Sequence, residues 1–164
     1  MYGVTDPAVT ASVRAYVKLL RATRAVVART GPLLAEFGLT HTQLGVLEAI
    51  LHLGPLTQRD LTRKLLTSPG NLTDVIDKLV QRDLVTRAPC PEDRRRVRVA
   101  LTARGQTLIE TAFPLHAADI HRAMMGLTHA EQTQLGRLLR LLGQDPDAQG
   151  EGAEMIEIAA PPLK

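Results

Sequence analysis

Four guanidinium groups fall within five residues of this 164-residue chain: Arg94, Arg95, Arg96 and Arg98. They follow a turn-forming run containing Pro89, Pro91, Glu92 and Asp93, and they lead into an apolar alternation, Val97, Val99 and Leu101. Guanidinium is permanently charged, and its planar fork of donors matches phosphate bidentately. Crowded at a hairpin tip the four groups repel one another, and a polyanion relieves that repulsion on binding. The alternative is a solvated loop, the usual fate of a charge run.

The bulk numbers agree with an anionic partner. The formal charge is +3 and the pI about 9.4, with 16 Arg against four Lys. The segment 144–164 sums to −4, so the remaining body carries +7. Two Tyr, two Phe and no Trp leave Leu, Val and Ala to build the core, which favours helices. The length fits one domain. One cysteine, Cys90, excludes an internal disulfide and fits a reducing compartment. The first residues lack a signal-peptide pattern, and no apolar run is long enough to span a bilayer. A cytoplasmic protein with no membrane contact is expected.

Spacing places the arginines on a definite scaffold. Val13, Tyr16, Val17, Leu20 and Val27 predict a helix over 8–29, with Gly31-Pro32 as a break or kink. Thr40 and Gln43 form a capping-box pair ahead of a stripe of Leu44, Leu47, Ile50 and Leu51, stopped by Gly54-Pro55. Thr57 and Asp60 open a short helix to about Leu66. Ser68 caps the next, Pro69 suits its first position, and Leu72, Val75, Ile76, Leu79 and Val80 make its apolar stripe. The period then changes: 84–87 and 97–101 read as strands around the arginine turn. Thr102 caps a helix over 103–125, which Pro114 should kink or divide. Thr128 and Glu131 open the last helix, with Leu135, Leu138, Leu139 and Leu142 on one side. The acidic, Gly- and Pro-containing segment 144–164 reads as a mobile tail.

Two helices joined by a tight turn and followed by a hairpin form a winged helix-turn-helix. Its second helix can enter a major groove, and its hairpin can reach phosphates or the next minor groove. The fold class is therefore mainly α with a small β-hairpin. The run 56–105 resembles the MarR family of bacterial transcription regulators. Asp93-Arg94-Arg95 with Val99, Leu101, Thr102 and Gly105 is similar to the family's wing signature. Asp77-Lys78-Leu79 and Arg82-Asp83-Leu84-Val85 are similar to its recognition helix and exit.

The resemblance covers roughly 8–143. It implies a winged lobe over 40–102 and a helical dimerisation body from 1–30 and 103–143, so that a homodimer binds double-stranded DNA at a pseudo-palindromic operator. On its terms Arg95 enters the minor groove, Asp93 orients it, and Arg94 and Arg96 lie along the backbone. Ser68, Asn71 and Thr73 face phosphates or base edges, and Thr57, Lys78 and Arg82 complete the DNA-facing set. Many members carry a basic residue where this chain has Asp74 and Val75. Asp74 either accepts from a cytosine amino group or faces water near the positive helix end. Repression would be relieved by a small aromatic or anionic effector between the first, second and fifth helices, with Tyr16, Phe37 and His41 as candidates.

Other chemistry is thinly represented. The five histidines form no i, i+4 pair or His/Cys cluster, so no metal or cofactor is expected. There is no P-loop, dinucleotide fingerprint or nucleophile elbow, and no enzyme is expected. Cys90 beside the wing offers a thiol for oxidation. The rival function is a winged module for protein–protein assembly. Arg95→Ala should weaken operator binding by about tenfold or more, equivalent to about 1.4 kcal/mol, with the fold retained. Duplex titration alongside circular dichroism checks this, and unchanged affinity removes the role.

Overall fold

Side-chain caps decide where the helices start. The computed structural model describes residues 6–65, 67–90 and 97–143, so Leu66, the turn carrying Asp93, Arg94, Arg95 and Arg96, and the segment 144–164 lie outside the described residues. In chain order the elements are α1 (Pro7–Glu36), α2 (His41–Leu53), β1 (Leu56–Thr57), α3 (Gln58–Lys64), α4 (Pro69–Gln81), β2 (Val85–Pro89), β3 (Val97–Leu101), α5 (Ala103–Met124) and α6 (His129–Gly143). The Thr40 hydroxyl accepts from Gln43 N at 3.2 Å while Thr40 N donates to the Gln43 side chain at 2.9 Å, a complete capping box. Thr57, Ser68 and Thr102 accept from the backbone three residues on, and Thr128 and Glu131 cap α6 reciprocally. Each cap satisfies backbone donors that no helical carbonyl can reach.

Two helix ends use a left-handed residue. Gly38 has φ 64° after α1, and Asp83 has φ 55° after α4. At each, the next residue donates back to the third-last helical carbonyl: Leu39 N to Leu34 O at 2.8 Å, and Leu84 N to Leu79 O at 3.0 Å. This is the Schellman arrangement, which closes a helix and reverses the chain.

Several expectations are corrected. Gly31-Pro32 does not end α1, which continues to Glu36. Pro32 removes one backbone bond, but Thr30 and Leu34 on either side are buried and hold the turn in place. Pro114 does not divide α5. The first winged strand is Val85–Pro89 rather than 84–87, α3 ends at Lys64, and a third strand, β1, is added to the hairpin. The antiparallel sheet has the order β1-β3-β2, with Leu56 opposite Val99 and Val85 opposite Leu101.

The core lies inside the winged lobe. Leu44, Leu47 and Ile50 of α2, Leu61 of α3, Leu72, Ile76 and Leu79 of α4, Val99 of β3 and Ile109 of α5 form one buried cluster. Cys90, directly after β2 on the turn side of the hairpin, is also buried. Outside the lobe burial is sparse. Only Thr30 and Leu34 of α1 are buried, and α6 has no buried residue.

α5 meets the wing root without slack. A Cβ on Gly105 would stand 1.8 Å from the Leu84 carbonyl oxygen, closer than any real contact. Gly105→Ala should therefore destabilise the chain by about 3 kcal/mol or more, since the obstacle is backbone that cannot rotate away. Denaturant unfolding measures the loss.

Candidate nucleic-acid interface

Burial of Leu72, Val75, Ile76 and Leu79 fixes the rotation of α4. Its other side carries Asn71, Asp74 and Lys78, all exposed, and the half-buried Thr73. The start of α4 is organised by short polar bonds. The Ser68 hydroxyl accepts from Asn71 N at 3.3 Å, and the Asn71 amide donates to Thr67 Oγ1 at 2.7 Å. Thr73 Oγ1 donates to Pro69 O at 2.9 Å and accepts from Gln58 Nε2 at 2.5 Å, joining α3 to α4. Asn71 and Thr73 thus share one rigid polar surface beside the positive end of the helix.

Beside that surface is an open cavity of about 440 Å³ lined by Gln58, Arg59, Thr62, Arg63 and Pro69. Arg59 and Arg63 are exposed and one turn apart on α3. Sequence reasoning passed over them. The signal was present as two arginines at i, i+4 in the short helix before a capped helix start. Their charge converges with the backbone donors of α4 on a place suited to an anionic oxygen.

Two expected contacts are taken up inside the fold. Thr57 is buried, its hydroxyl donating to Asp60 Oδ2 at 2.5 Å and accepting from Asp60 N. It caps α3 and cannot present that oxygen to a duplex. The Arg82 guanidinium donates to Gly38 O at 2.5 Å and Phe37 O at 3.1 Å. It neutralises the carbonyl end of α1 and ties it to the exit of α4. Lys78 remains an exposed cation. Asp77 of α4 pairs with Arg87 of β2 at 2.6 Å, so the helix and the wing hold each other in register. Asp93, Arg94, Arg95 and Arg96 fall between β2 and β3 in the sequence and lie outside the described residues.

The three effector candidates do not converge in one protomer. Tyr16 is 60% exposed on the outer part of α1. It stands about 21 Å along the helix axis from Thr30, at 1.5 Å per residue. His41 Nε2 lies 3.0 Å from Thr30 Oγ1, and Phe37 packs against the lobe core. A residue not foreseen joins His41 instead: His116 of α5, whose ring stands edge-on at 5.8 Å between centroids. His116 Nδ1 and Glu48 Oε1 are buried side-chain atoms with no hydrogen-bond partner. Burial raises the Glu48 carboxyl pKa above its ordinary value, and the nearby His52 opposes the shift.

Among the described residues no group of three or more His, Cys, Asp or Glu side chains could hold a metal ion. Nor is any helix among them long and apolar enough to cross a membrane.

The α3–turn–α4 pair against a three-stranded winged sheet defines a winged helix-turn-helix protein. A model of the MarR family matches residues 39–97. YkoM, an HTH-type transcriptional regulator of Bacillus subtilis, is 38% identical over 66% of this chain and 70% of its own length. The regulator MhqR of the same organism is 31% identical over 80% of this chain and 91% of its own. Among solved structures, BpsR of Bordetella bronchiseptica, whose DNA binding is regulated by 6-hydroxynicotinic acid, superposes with a TM-score of 0.73. It is 29% identical and covers 77% of this chain and 91% of its own. Ligand-free Escherichia coli MarR gives 0.65 at 28% identity, over 77% and 94%. The chain belongs to the MarR family of ligand-responsive, DNA-binding transcriptional regulators. These relatives are regulators rather than enzymes, and none favours the protein–protein module.

Arg82→Ala should destabilise the fold by about 1–2 kcal/mol through the orphaned carbonyls of α1. The salt dependence of duplex binding should stay unchanged. Urea unfolding and a salt titration together separate this bracing role from a phosphate contact, which would flatten the salt slope.

Proposed function

We propose that the chain acts as a homodimeric repressor that grips a pseudo-palindromic operator and is released by a small aromatic or anionic effector. The observation that carries the assembly is α6, a helix with Leu138, Leu139, Leu141 and Leu142 all exposed and nothing buried. Val9, Val13, Tyr16, Val17 and Leu20 of α1 are likewise uncovered. Apolar stripes of this extent, drawn from both ends of the chain, are stable when another copy buries them. The body would comprise 1–30 and 103–143, and the lobe 40–102 would project from it.

In each lobe Ser68, Asn71, Thr73 and Lys78 would face the major groove, with Arg59 and Arg63 on a flanking phosphate. Asp93, Arg94, Arg95 and Arg96 would carry the wing into the minor groove, Arg95 foremost. Asp74 leaves direct readout by α4 modest, so that wing contacts and duplex shape supply much of the specificity. The effector class is supported by BpsR, whose regulator is an aromatic carboxylic acid. Such a regulator works beside DNA in the cytoplasm.

Duplex affinity measured against salt tests the proposal. Each phosphate neutralised contributes about −0.9 to the slope of log K against log salt, and a dimer with several contacts should exceed about −4. A slope near zero overturns the DNA reading. In parallel, Leu138→Glu with Leu142→Glu should shift the protein from dimer to monomer in sedimentation and weaken binding to a two-half-site duplex. A dimer that survives both changes removes α6 from the interface.

A further inference from the structure

The face of α4 opposite its core carries two residues that the fold itself does not call for. At about 100° per residue, Gly70, Asp74, Asp77 and Gln81 form a line pointing away from Leu72, Val75, Ile76 and Leu79. Asp77 is neutralised by Arg87 of β2 at 2.6 Å. Asp74 is exposed and has no hydrogen bond or ion pair among the described residues, although Lys78 stands one turn on. It is a bare carboxylate at the centre of a surface that faces a polyanion. Between phosphates such a group is repelled, and it lowers affinity for every duplex that offers it no donor.

Gly70 is the second anomaly. Glycine weakens a helix relative to alanine, because its unfolded backbone has more freedom to lose. Gly38 needs its left-handed φ, and Gly105 has the Leu84 carbonyl where a Cβ would go. Gly70 has neither reason. Its backbone is helical, and among the described residues no neighbouring atom comes within 4 Å of the place a Cβ would take. The free chain has room for alanine. What lacks that room is a body approaching α4 from outside, one turn before Asp74.

Both features have one explanation in the major groove. With no side chain at Gly70, the start of α4 can lie against the groove wall, which brings Asp74 down to the base edges. The donors there are the amino groups of cytosine and adenine. Adenine's amino group is flanked by the N7 acceptor, which repels the second carboxylate oxygen, whereas cytosine's is flanked by an apolar C–H. Thymine and guanine turn acceptor atoms toward the helix and repel it.

We propose that Gly70 and Asp74 form the base-reading line of α4, Gly70 admitting the groove wall and Asp74 accepting a hydrogen bond from a cytosine amino group in each half-site. This goes beyond the operator reading above by naming one base, and it rests on that reading's placing of α4 in the groove. The hydrogen bond offsets only part of the repulsion, so Asp74 acts by rejecting wrong bases rather than by adding affinity. One base in each half-site is a small share of the readout and leaves the rest to the wing and to duplex shape.

Selection of bound duplexes from a random pool by the full chain, followed by affinity measurements on single-base variants of the selected site, tests this. The wild type should select a symmetric pair of cytosines, and changing either should weaken binding by about tenfold or more. Asp74→Asn should move the preference at those two positions to adenine, which an amide meets with both a donor and an acceptor, and leave the other positions unchanged. Asp74→Ala should bind the four bases there within about twofold of one another. It should also hold an unrelated duplex no less tightly than the wild type, since a repelled charge has gone. Gly70→Ala should raise the melting temperature by about 1–3 °C and yet weaken the selected duplex by about tenfold, a pair of effects that a merely structural glycine does not give. Thermal unfolding checks that each variant folds.

The same base preferences in wild type, Asp74→Asn and Asp74→Ala overturn the role of Asp74 and leave a DNA-binding regulator that reads its site elsewhere. A wild-type preference for another base at the positions that Asp74→Ala relaxes overturns the choice of cytosine. Full duplex affinity in Gly70→Ala overturns the close approach. Failure of the wild type to bind any duplex overturns this inference together with the operator reading.

Discussion

The apolar layer beneath α4 is the constraint on which the rest depends. Leu72, Ile76 and Leu79 are buried where α4 packs on α2, α3 and the sheet, and no rotation of the helix keeps all three out of water except the one observed. That rotation turns Asn71, Asp74 and Lys78 outward. Burial of this kind is non-directional and strong, whereas the contacts such a surface makes with DNA are directional and individually small. The core therefore sets where the polar groups point.

Around this layer the joints are made by hydrogen bonds at helix ends. α1 and α4 each stop in a left-handed residue, and Arg82 at the second stop reaches the carbonyls of the first. Two helices far apart in sequence thus share one boundary. Asp77 with Arg87 does the same for α4 and β2. That pair is partly exposed and contributes little to stability, but it sets the angle between helix and wing. The lobe is braced at these joints, while α1 and α6 keep apolar side chains exposed.

Much of this was legible in the residues because caps and stripes are local. Thr40, Thr57, Ser68, Thr102 and Thr128 all start helices, and the stripe of α4 is buried at Leu72, Val75, Ile76 and Leu79 but not at Val80, which is exposed. What escaped was non-local. Gly31-Pro32 looks like a stop, but tertiary burial of Thr30 and Leu34 carries α1 past it. Two residues, Leu56 and Thr57, are too few to show alternation, and only β3 makes them a strand. Arg82 reads as a DNA-facing cation and turns out to face another helix end. His116 falls within an amphipathic run, and its meeting with His41 depends on how α2 crosses α5. The arginine cluster itself was the strongest sequence signal; Arg94, Arg95 and Arg96 lie outside the described residues, and Arg98 stands in β3.

The tight seat of Gly105 on Leu84 has a mechanical consequence. α5 has 22 residues, and its first turn is pressed on the backbone at the wing root while its far half runs beyond the lobe core. Such a rod, roughly 33 Å long at 1.5 Å per residue, has no compliant joint at its inner end. A tilt of about five degrees at one end displaces the other by roughly 3 Å, close to the rise of one base pair along a duplex. A tilt of α5 is therefore passed to the backbone of Leu84 at the wing root and not absorbed in its first turn.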